Sequence, residues 1–426
     1  MNIEKILKRL LQLHPKSIDL SLHRIKRLLK DLKNPEKKIK NAIQVVGTNG
    51  KYSCCSTLRE IFETANYKVN MNISPSLKKF NERYYLSGKY ISDHELYDLL
   101  TEVEKINNNQ SITFHEFICA CFFLAASRNK SDINILEAGL FFRLDASNVL
   151  DKNIASIVMP IGIDHKDFLK KGTIDEIVYE KCSHLLGKSQ IIVSKQKKDV
   201  LLKIKNIISK NSSKKIIFGE NYSFKKTTNG FLYEDKLGKM SLPSPNLLGD
   251  FQIGNISTAI AAVRNLDQFK IKNSHIKKAI IKIRSEGRLQ KIKKGKLRNF
   301  VSKNNEILID GAHNPLAASV VSKYLEKLNS GKKIVMLLGM MSNKDHKEFI
   351  QIFKNKVHSI IALNIPNQEN FIDKSELTKI AKSFGIPSRA EDSIQSAFEN
   401  VAKENSDAII FCTGSLYFAG EILNLN

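Results

Sequence analysis

Short apolar runs alternate along the chain with longer stretches whose apolar residues recur at helical spacing. Eight such runs are AIQVVGT, INILEAGL, ASIVMPIGI, QIIVSK, EILIDGA, KKIVMLLGM, SIIALNIP and DAIIFCTGS. Continuous Val, Ile and Leu are typical of strands that are buried on both faces of a parallel sheet. The alternation with helices therefore indicates an α/β fold, in which functional residues gather at the carboxyl ends of the strands.

A polar, basic stretch from Arg284 to Asn299 interrupts this alternation, and a new set of strand–helix units follows it. The chain has 426 residues, which is too many for one ordinary core. We predict a first domain over residues 1–287, with a mainly parallel sheet of the phosphate-loop type. A smaller Rossmann-like α/β domain is predicted over residues 288–426. Because the second domain lacks a Gly-x-Gly-x-x-Gly motif, its pattern does not indicate NAD binding.

Targeting signals and metal-binding cysteine patterns are not evident. The start, MNIEKILKRLLQLH, places its apolar residues on one helical face without a cleavage site. The longest apolar stretch, Phe117 to Ala126, is too short to span a bilayer. The six cysteines have no metal-ligand spacing and are interpreted as buried thiols in a reducing compartment. We therefore expect a cytoplasmic protein with no membrane partner.

The chain is strongly basic, with 68 Lys and Arg against 43 Asp and Glu. A positive field suits nucleic acid, an anionic membrane or polyanionic small molecules. The lysines are spread along the whole sequence rather than gathered into one block with aromatic residues. A solvated basic surface is the simpler interpretation, and a nucleic-acid-binding ATPase is disfavoured.

Residues 44–61, QVVGTNGKYSCCSTLREI, have the form of a phosphate-binding loop. A β-branched run leads into Gly47–Lys51, and a helical pattern follows. Backbone N–H groups at a helix N-terminus, together with the Lys51 ammonium, can bind phosphate groups. The strict Walker motif would have glycine where Val45 stands, and Tyr52 replaces the usual small residue. The glycines alone are weak evidence, but the strand and helix around them favour nucleotide binding.

Other polar residues also follow predicted strands. Glu137 comes directly after one strand, where a carboxylate could hold Mg²⁺, which prefers oxygen ligands. Asp164 and His165 follow another strand, and His165 taken alone is interpreted as structural because histidine is an uncommon Mg²⁺ ligand.

Two further motifs leave alternatives open. His115 and Glu116, in TFHEF, are more often helix-cap or surface residues than functional ones. The stretch from Asp310 to Pro315, DGAHNP, lies between a strand and a helix. It is either an Asx-type helix start or a contact to ribose or phosphate.

Together and in this order, the motifs resemble the folylpolyglutamate synthase/dihydrofolate synthase family of the Mur ligase superfamily. The matching stretches run from about residue 14 to the C-terminus: HPKSIDLSLHRI, GTNGK, SPSLKKFNERYYLSGKYIS, TFHEF, LEAGL with RLDASN, IGIDH, LLGDFQIGNISTAIAA, EGRL, DGAHNP, GMMSNKD and TGSLY. The resemblance implies that ATP phosphorylates the carboxyl group of a folate or of dihydropteroate. The amine of L-glutamate then displaces the phosphate. ATP as co-substrate and Mg²⁺ as cofactor are implied with it.

The resemblance also implies roles for individual residues. The catalytic residues are Lys51, Lys181 and His313. The ATP contacts are Gly47, Thr48, Asn49, Gly50, Lys51, Asn255, Arg288 and Asp310. The Mg²⁺ ligands are Ser74, Glu137, His165 and a carbamylated Lys181, which reverses the structural interpretation of His165. The pterin or folate contacts are Leu20, Ser21, Leu22, Thr113, Phe114, His115, Glu116, Leu144, Asp145 and Ala146.

Several positions depart from the family pattern. Besides Tyr52, the chain has Phe141 and Phe142 where the family usually has two glycines, and Ser76 where it has a histidine. The Phe pair is expected to pack in the core, and a stacking surface for a pterin ring is the alternative. A catalytically inactive relative that binds folate or ATP, and a Mur-type ligase for another acid, remain alternative functions. We expect small-molecule substrates, no nucleic acid and a monomer, and the sequence leaves the preferred pterin acceptor open.

Overall fold

The computed structural model describes residues 3–16, 18–328 and 331–426, so Ser17 of the HPKSIDLSLHRI stretch lies outside the described residues. The chain forms two compact units. The first comprises the residues up to Ile161, Thr173–Asn246 and Ile253–Ile283, and the second comprises Gly162–Gly172, Leu247–Gln252 and Arg284–Asn426. Three segments of the first 287 residues thus belong to the second unit, the last of them residues 284–287, and the division at residue 288 stays a prediction.

The first unit is built on an eight-stranded sheet. Its strands are β1 (Ala42–Val46), β2 (Val69–Asn72), β3 (Tyr84–Leu86), β4 (Lys89–Tyr90), β5 (Ile133–Glu137), β6 (Ala155–Val158), β7 (Gln190–Val193) and β8 (Lys214–Ile217). They lie in the order β4-β3-β2-β5-β1-β6-β7-β8, and all neighbouring strands from β2 to β8 are parallel. β1 therefore lies between β5 and β6, at the point where the chain changes direction across the sheet, which is where such sheets bind ligands.

Helices cover this sheet. They are α1 (Ile3–Leu11), α2 (His23–Asp31), α3 (Lys51–Thr64), α4 (Asp93–Asn107), α5 (Phe114–Arg128), α6 (Ile174–Cys182), α7 (Lys198–Ile208), α8 (Asp250–Val263) and α9 (Asn273–Ile280). Short 3₁₀ helices span Pro35–Lys38 and Phe80–Arg83. α5 contains the long apolar stretch and is buried on nearly all sides within the core. None of the helices in the described ranges combines the length and the apolar character needed to cross a membrane.

The first unit also contains a three-stranded antiparallel sheet that the sequence analysis did not predict. Its strands are β9 (Tyr222–Thr227), β10 (Gly230–Asp235) and β11 (Gly238–Pro243), joined by tight turns. Lysines and acids alternate with buried Tyr222, Phe231, Tyr233, Met240 and Leu242. This alternation is typical of strands that are buried on one face only.

The second unit contains a six-stranded sheet. Its strands are β12 (Gln290–Ile292), β13 (Glu306–Ile309), β14 (Ile334–Leu338), β15 (Ser359–Ala362), β16 (Ser388–Ala390) and β17 (Ile409–Thr413). They lie in the order β12-β13-β17-β14-β15-β16, and only the β12–β13 pair is antiparallel. The helices are α10 (Pro315–Lys327), α11 (His346–Ile352), α12 (Lys374–Ser383), α13 (Ile394–Glu404) and α14 (Leu416–Asn424), with 3₁₀ helices at Lys166–Phe168 and Lys296–Phe300.

The predicted α/β fold class is confirmed in both units. All eight apolar runs form strands, four in each of the two large sheets, and these strands are buried as continuous Val, Ile and Leu predict. The amphipathic start of the chain forms α1, whose Ile6 and Leu10 are buried whereas Leu11 is exposed.

Candidate active site

The predicted phosphate loop joins β1 to α3. Gly47 and Gly50 have φ angles of 146° and 82°, which favour glycine, and α3 begins at Lys51 directly after Gly50. A Cβ on Gly50 would lie 2.5 Å from Oδ1 of Asn255, so α8 packs directly against the loop. The structure thus brings the loop together with Asn255, another predicted ATP contact.

Two of the loop's backbone amides form hydrogen bonds within the protein. The N–H groups of Thr48 and Asn49 donate to the carbonyl of Pro160, over 2.9 and 3.2 Å. These bonds fix the loop against the residues that follow β6. The N-terminus of α3, with its positive end of the helix dipole, and the Lys51 ammonium are therefore the main groups for an anion.

Two lysine side chains converge on the carbonyl of Gly47. Lys51 Nζ donates to Gly47 O over 3.1 Å and to Thr48 O over 3.3 Å. Lys181 Nζ, from α6, donates to Gly47 O over 3.0 Å and to Leu140 O over 2.9 Å. Lys181 is only 3% exposed. Two ammonium groups at one loop create a strongly positive environment, as binding of a polyphosphate requires.

Ser74 and Glu137, two predicted metal ligands, also meet. Ser74 follows β2, Glu137 ends β5, and these strands are parallel neighbours. The backbone N–H of Ser74 donates to Oε2 of the buried Glu137 over 3.2 Å. Burial and, after it, the Glu137 carboxylate raise the pKa of the Cys55 thiol, whereas the Lys51 ammonium lowers that pKa. The charges of Glu137 and Lys51 therefore both lie near the start of α3.

These residues suit a hard divalent cation. A serine and a carboxylate supply the oxygen ligands that Mg²⁺ prefers. The described residues contain no group of three His, Cys, Asp or Glu side chains that could hold a metal ion. Lys181 is present as an ammonium that donates to two carbonyls, and an ammonium cannot ligate a cation unless it is modified. His165 belongs to the second unit.

The Phe pair packs in the core. Phe141 and Phe142 are 2% and 0% exposed, so neither ring offers a face for pterin stacking, and that alternative is wrong. Instead, the Phe141 ring lies 5.4 Å from Lys181 Nζ, which is a cation–π distance. Phe141 therefore forms part of the surroundings of Lys181.

The three predicted pterin- or folate-contacting segments lie together in the first unit. Arg24 joins two of them, because its guanidinium donates to Glu116 Oε2 over 2.8 Å and to Asp19 Oδ2 over 2.7 Å. His115 joins the third, because its Nε2 lies 3.3 Å from Oδ2 of Asp145. Leu20, Ser21 and Leu22 directly follow Asp19, and Leu144 and Ala146 flank Asp145.

Two polar residues of this cluster have defined local roles. Thr113 caps α5, and Glu116 completes a capping box with it, as the cap interpretation predicted. Asp145 is 3% exposed and accepts hydrogen bonds from the amides of Gly139 and Ser147. Although burial alone would raise the pKa of Asp145, His115 and the Ser147 hydrogen bonds outweigh it and lower the pKa. Asp145 is therefore ionised at neutral pH.

In the second unit, Asp310 and Arg288 lie close together. Asp310 directly follows β13 and accepts hydrogen bonds from the backbone amides of Leu289 and Ala312, each over 2.8 Å. Burial raises the pKa of Asp310, and the Arg288 guanidinium acts in the opposite direction. These two predicted ATP contacts thus lie near enough to interact electrostatically at the carboxyl end of β13.

Asp164 holds a second polar cluster in this unit. Its carboxylate accepts from Lys344 Nζ over 2.7 Å and from Asn314 Nδ2 over 2.9 Å, and His313 Nε2 lies 3.4 Å away. Asn314 caps α10 and Pro315 is its first residue, so the Asx-type helix start is confirmed. His165 follows Asp164 with φ of 56°.

The sequence analysis placed Asp164 after a strand, where a carboxylate could hold Mg²⁺, but assigned it no role in the family site and gave Lys344 no role. The available signal was the position of both residues after predicted strands, in IGIDH and GMMSNKD. Burial alone would raise the pKa of Asp164. The hydrogen bond to His313 and the positive charges of His313, His165 and Lys344 outweigh this effect and hold the pKa well below its usual value. Asp164 is therefore ionised at neutral pH and fixes His313 and Lys344.

We expect Asp164→Asn to lower the free energy of unfolding by about 2 kcal/mol, because Lys344, whose side chain is 9% exposed, loses its counter-charge. Urea unfolding at pH 7 measures this. Asp345→Asn is the matched control, since its Lys166 partner is also 2.7 Å away but both side chains are more exposed. The control should cost less than about 1 kcal/mol. Equal losses in the two variants would contradict the anchoring role of Asp164.

Comparisons with known proteins agree with this architecture. Residues 45–263 match the family described as Mur ligase middle domain, and residues 293–425 match the family described as dihydrofolate synthetase, C-terminal domain. The dihydrofolate synthase/folylpolyglutamate synthase of Buchnera aphidicola is 30% identical over 398 residues, covering 89% of this chain and 88% of the relative. The protein of the same name from Bacillus subtilis is 28% identical over 430 residues, covering 94% of both chains.

Solved structures share the fold. Escherichia coli FolC in complex with DHPP and ADP superposes with a TM-score of 0.89 at 24% identity, covering 100% of this chain and 97% of that one. The bifunctional folylpolyglutamate synthase/dihydrofolate synthase of Yersinia pestis, complexed with AMPPNP and Mn ion, gives a TM-score of 0.86 at 22% identity. It covers 100% of this chain and 98% of that one.

Proposed function

This chain belongs to the dihydrofolate synthase/folylpolyglutamate synthase family of Mur ligases, and we propose from this membership that it is an ATP-dependent carboxylate–amine ligase. Its substrates are L-glutamate and the carboxyl group of a folate or of dihydropteroate. The observation that carries the proposal is the convergence of Lys51 and Lys181 on the Gly47 carbonyl of a glycine loop. It supports binding of the ATP phosphates.

The proposed reaction has two steps. The acceptor carboxylate attacks the γ-phosphorus of ATP, which gives an acyl phosphate and ADP. The glutamate amine then attacks the acyl carbon, forms the amide, loses a proton and releases phosphate. Anionic groups meet in the first step, so cationic side chains must offset their repulsion. Lys51 is proposed to do so.

A divalent ion, Mg²⁺, is proposed as the cofactor. Ser74 and Glu137 would hold it in the first unit, where the Ser74 amide orients the Glu137 carboxylate. When bound, the ion withdraws negative charge from the phosphate oxygens. His165 and a carbamylated Lys181 are proposed as further ligands on the basis of the family resemblance.

The remaining predicted residues are proposed to position the substrates. Asn255, Arg288 and Asp310 would contact ATP, and Thr48 and Asn49 would shape the loop around its phosphates. His313, held by Asp164, would contact the phosphate or the glutamate. The three segments joined by Arg24 and His115 would contact the pterin or folate. We propose that the enzyme acts as a cytoplasmic monomer on small molecules.

The proposal is tested by following ADP release and the fate of oxygen. ADP release over many turnovers should require both the acceptor and glutamate. With ¹⁸O in the acceptor carboxyl group, one ¹⁸O atom should appear in the released phosphate, because the acyl phosphate transfers it. ADP release that is independent of the acceptor would contradict the ligase function.

Tyr52 is expected to be compatible with ATP binding. It lies in the first turn of α3 and interacts electrostatically with Arg59, two turns further along the helix. Tyr52→Gly should therefore change the KM for ATP less than about tenfold, under ~1.4 kcal/mol. It should lower the free energy of unfolding by about 0.5–1 kcal/mol, since glycine weakens helices.

Steady-state kinetics and urea unfolding measure both effects, with Tyr52→Phe as the control that keeps the ring. If Tyr52→Gly created ligation in a protein that otherwise had none, the ring would be blocking the loop and the chain would be an inactive relative.

A further inference from the structure

A cavity of about 430 Å³ opens in the first unit at the outer edge of the eight-stranded sheet. It is lined by β8, by the turn that follows it, by the β9–β10 hairpin and by Asn265 beyond the end of α8. None of the residues proposed for the ligase reaction lines it. Its volume lies in the range of small-molecule pockets.

Lys214 and Lys236 both line this cavity. Lys214 lies on β8 and Lys236 follows β10. Burial, and then the ammonium of Lys236, lower the pKa of Lys214, whereas Asp267 has only a weak opposite effect. Within the described part of the chain, no carboxylate forms an ion pair with either lysine. The two like charges therefore repel each other without a counter-ion.

Three carboxylates line the cavity, but each is engaged elsewhere. They pair with cations of their own: Asp235 with Arg264, Glu220 with Lys205, and Glu234 with Lys239. The Asp235–Arg264 pair is almost fully buried and is bidentate, with distances of 2.7 and 2.9 Å. These pairs balance their own charges, so the charge of Lys214 and Lys236 stays uncompensated.

A buried asparagine holds one lysine in place. Asn265 is 6% exposed, and its Nδ2 donates to the carbonyl of Ala261 over 2.9 Å. This bond fixes the amide so that its Oδ1 accepts from Lys214 Nζ over 3.1 Å. The ammonium of Lys214 thus stays at the cavity wall beside Lys236. An anion between the two would remove their repulsion and accept charge-assisted hydrogen bonds from both.

We propose that this cavity binds the oxyanion group of a small molecule between Lys214 and Lys236. A phosphate group and a carboxylate share the required chemistry. Two sources follow from the proposed function: inorganic phosphate, and the carboxylates of a γ-linked glutamate chain. The existence of the anion site itself does not depend on the ligase activity.

The test measures the rise in melting temperature of the full-length protein with added ligand, at constant ionic strength and with saturating ADP. Inorganic phosphate and γ-linked tetraglutamate are titrated separately. If only one of them raises the melting temperature, that ligand identifies the source of the bound oxyanion. Lys214→Gln and Lys236→Gln should each raise the half-saturating concentration about tenfold or more. Lys225→Gln, on the exposed face of β9 outside the cavity lining and equal in charge change, should alter it less than about twofold.

Selenate soaked into crystals of the wild-type protein should give an anomalous peak between the two Nζ atoms. The proposal is overturned if neither ligand raises the melting temperature beyond chloride, or if the control weakens binding as much as the two Gln variants. Anion binding in a protein without ligase activity would leave this site standing and refute only the proposed function.

Discussion

Glu137→Gln should lower the ligation rate at least about a hundredfold, or ~2.7 kcal/mol of transition-state stabilisation, with the fold intact. Glutamine has the same shape as glutamate, and its oxygen can still accept the Ser74 amide. The substitution therefore removes one negative charge from the proposed metal site while the shape of the side chain is kept. Steady-state rates measure the loss, and circular dichroism verifies the fold.

The matched control is Glu102→Gln in the same unit. Glu102 pairs with Arg128 on the surface, and both side chains are exposed. This variant should keep the wild-type rate, because an exposed ion pair contributes little. A folded Glu137→Gln variant with more than a tenth of the wild-type rate would refute the metal-binding role.

Lys181→Ala should reduce activity at least about a hundredfold and also destabilise the first unit. Its ammonium donates to Leu140 O and, together with Lys51, to Gly47 O. A buried carbonyl left without a donor costs about 1–3 kcal/mol. Enzyme rates and urea unfolding separate the two effects.

A second comparison separates a carbamate from an ammonium at this position. Lys181→Arg keeps the positive charge and cannot form the carbamate. If the carbamate acts, Lys181→Arg should be as inactive as Lys181→Ala, removal of CO₂ should slow the wild type, and bicarbonate should restore it. A fully active Lys181→Ala variant would show that neither form is needed.

Most of the fold could be predicted because the buried parallel strands are continuous apolar runs. β1, β5, β13 and β17 show this most clearly, since every one of their positions is at least largely buried. The β9–β11 sheet was missed because its strands are polar on one face and contain several lysines. Short strands such as β4, with two exposed residues, carry no apolar signal at all.

Parts of the candidate site were predictable where the order of neighbouring strands brings residues together. Ser74 and Glu137 meet because parallel neighbouring strands end at the same edge of a sheet. The Arg24–Glu116 contact joins residues 92 positions apart, and the Lys344–Asp164 contact joins residues 180 positions apart. Residues so far apart in the sequence form no local motif, so these pairs became evident only from the three-dimensional packing.

The central claim is ligation of glutamate, and incorporation of radiolabelled glutamate tests it most directly. Purified protein is incubated with ATP, Mg²⁺ and labelled L-glutamate, with dihydropteroate in one reaction and tetrahydrofolate in another. The account predicts a labelled pterin product with at least one acceptor, and none when ATP or the acceptor is left out. Absence of labelled product with both acceptors, from folded protein that binds ATP, would contradict the account.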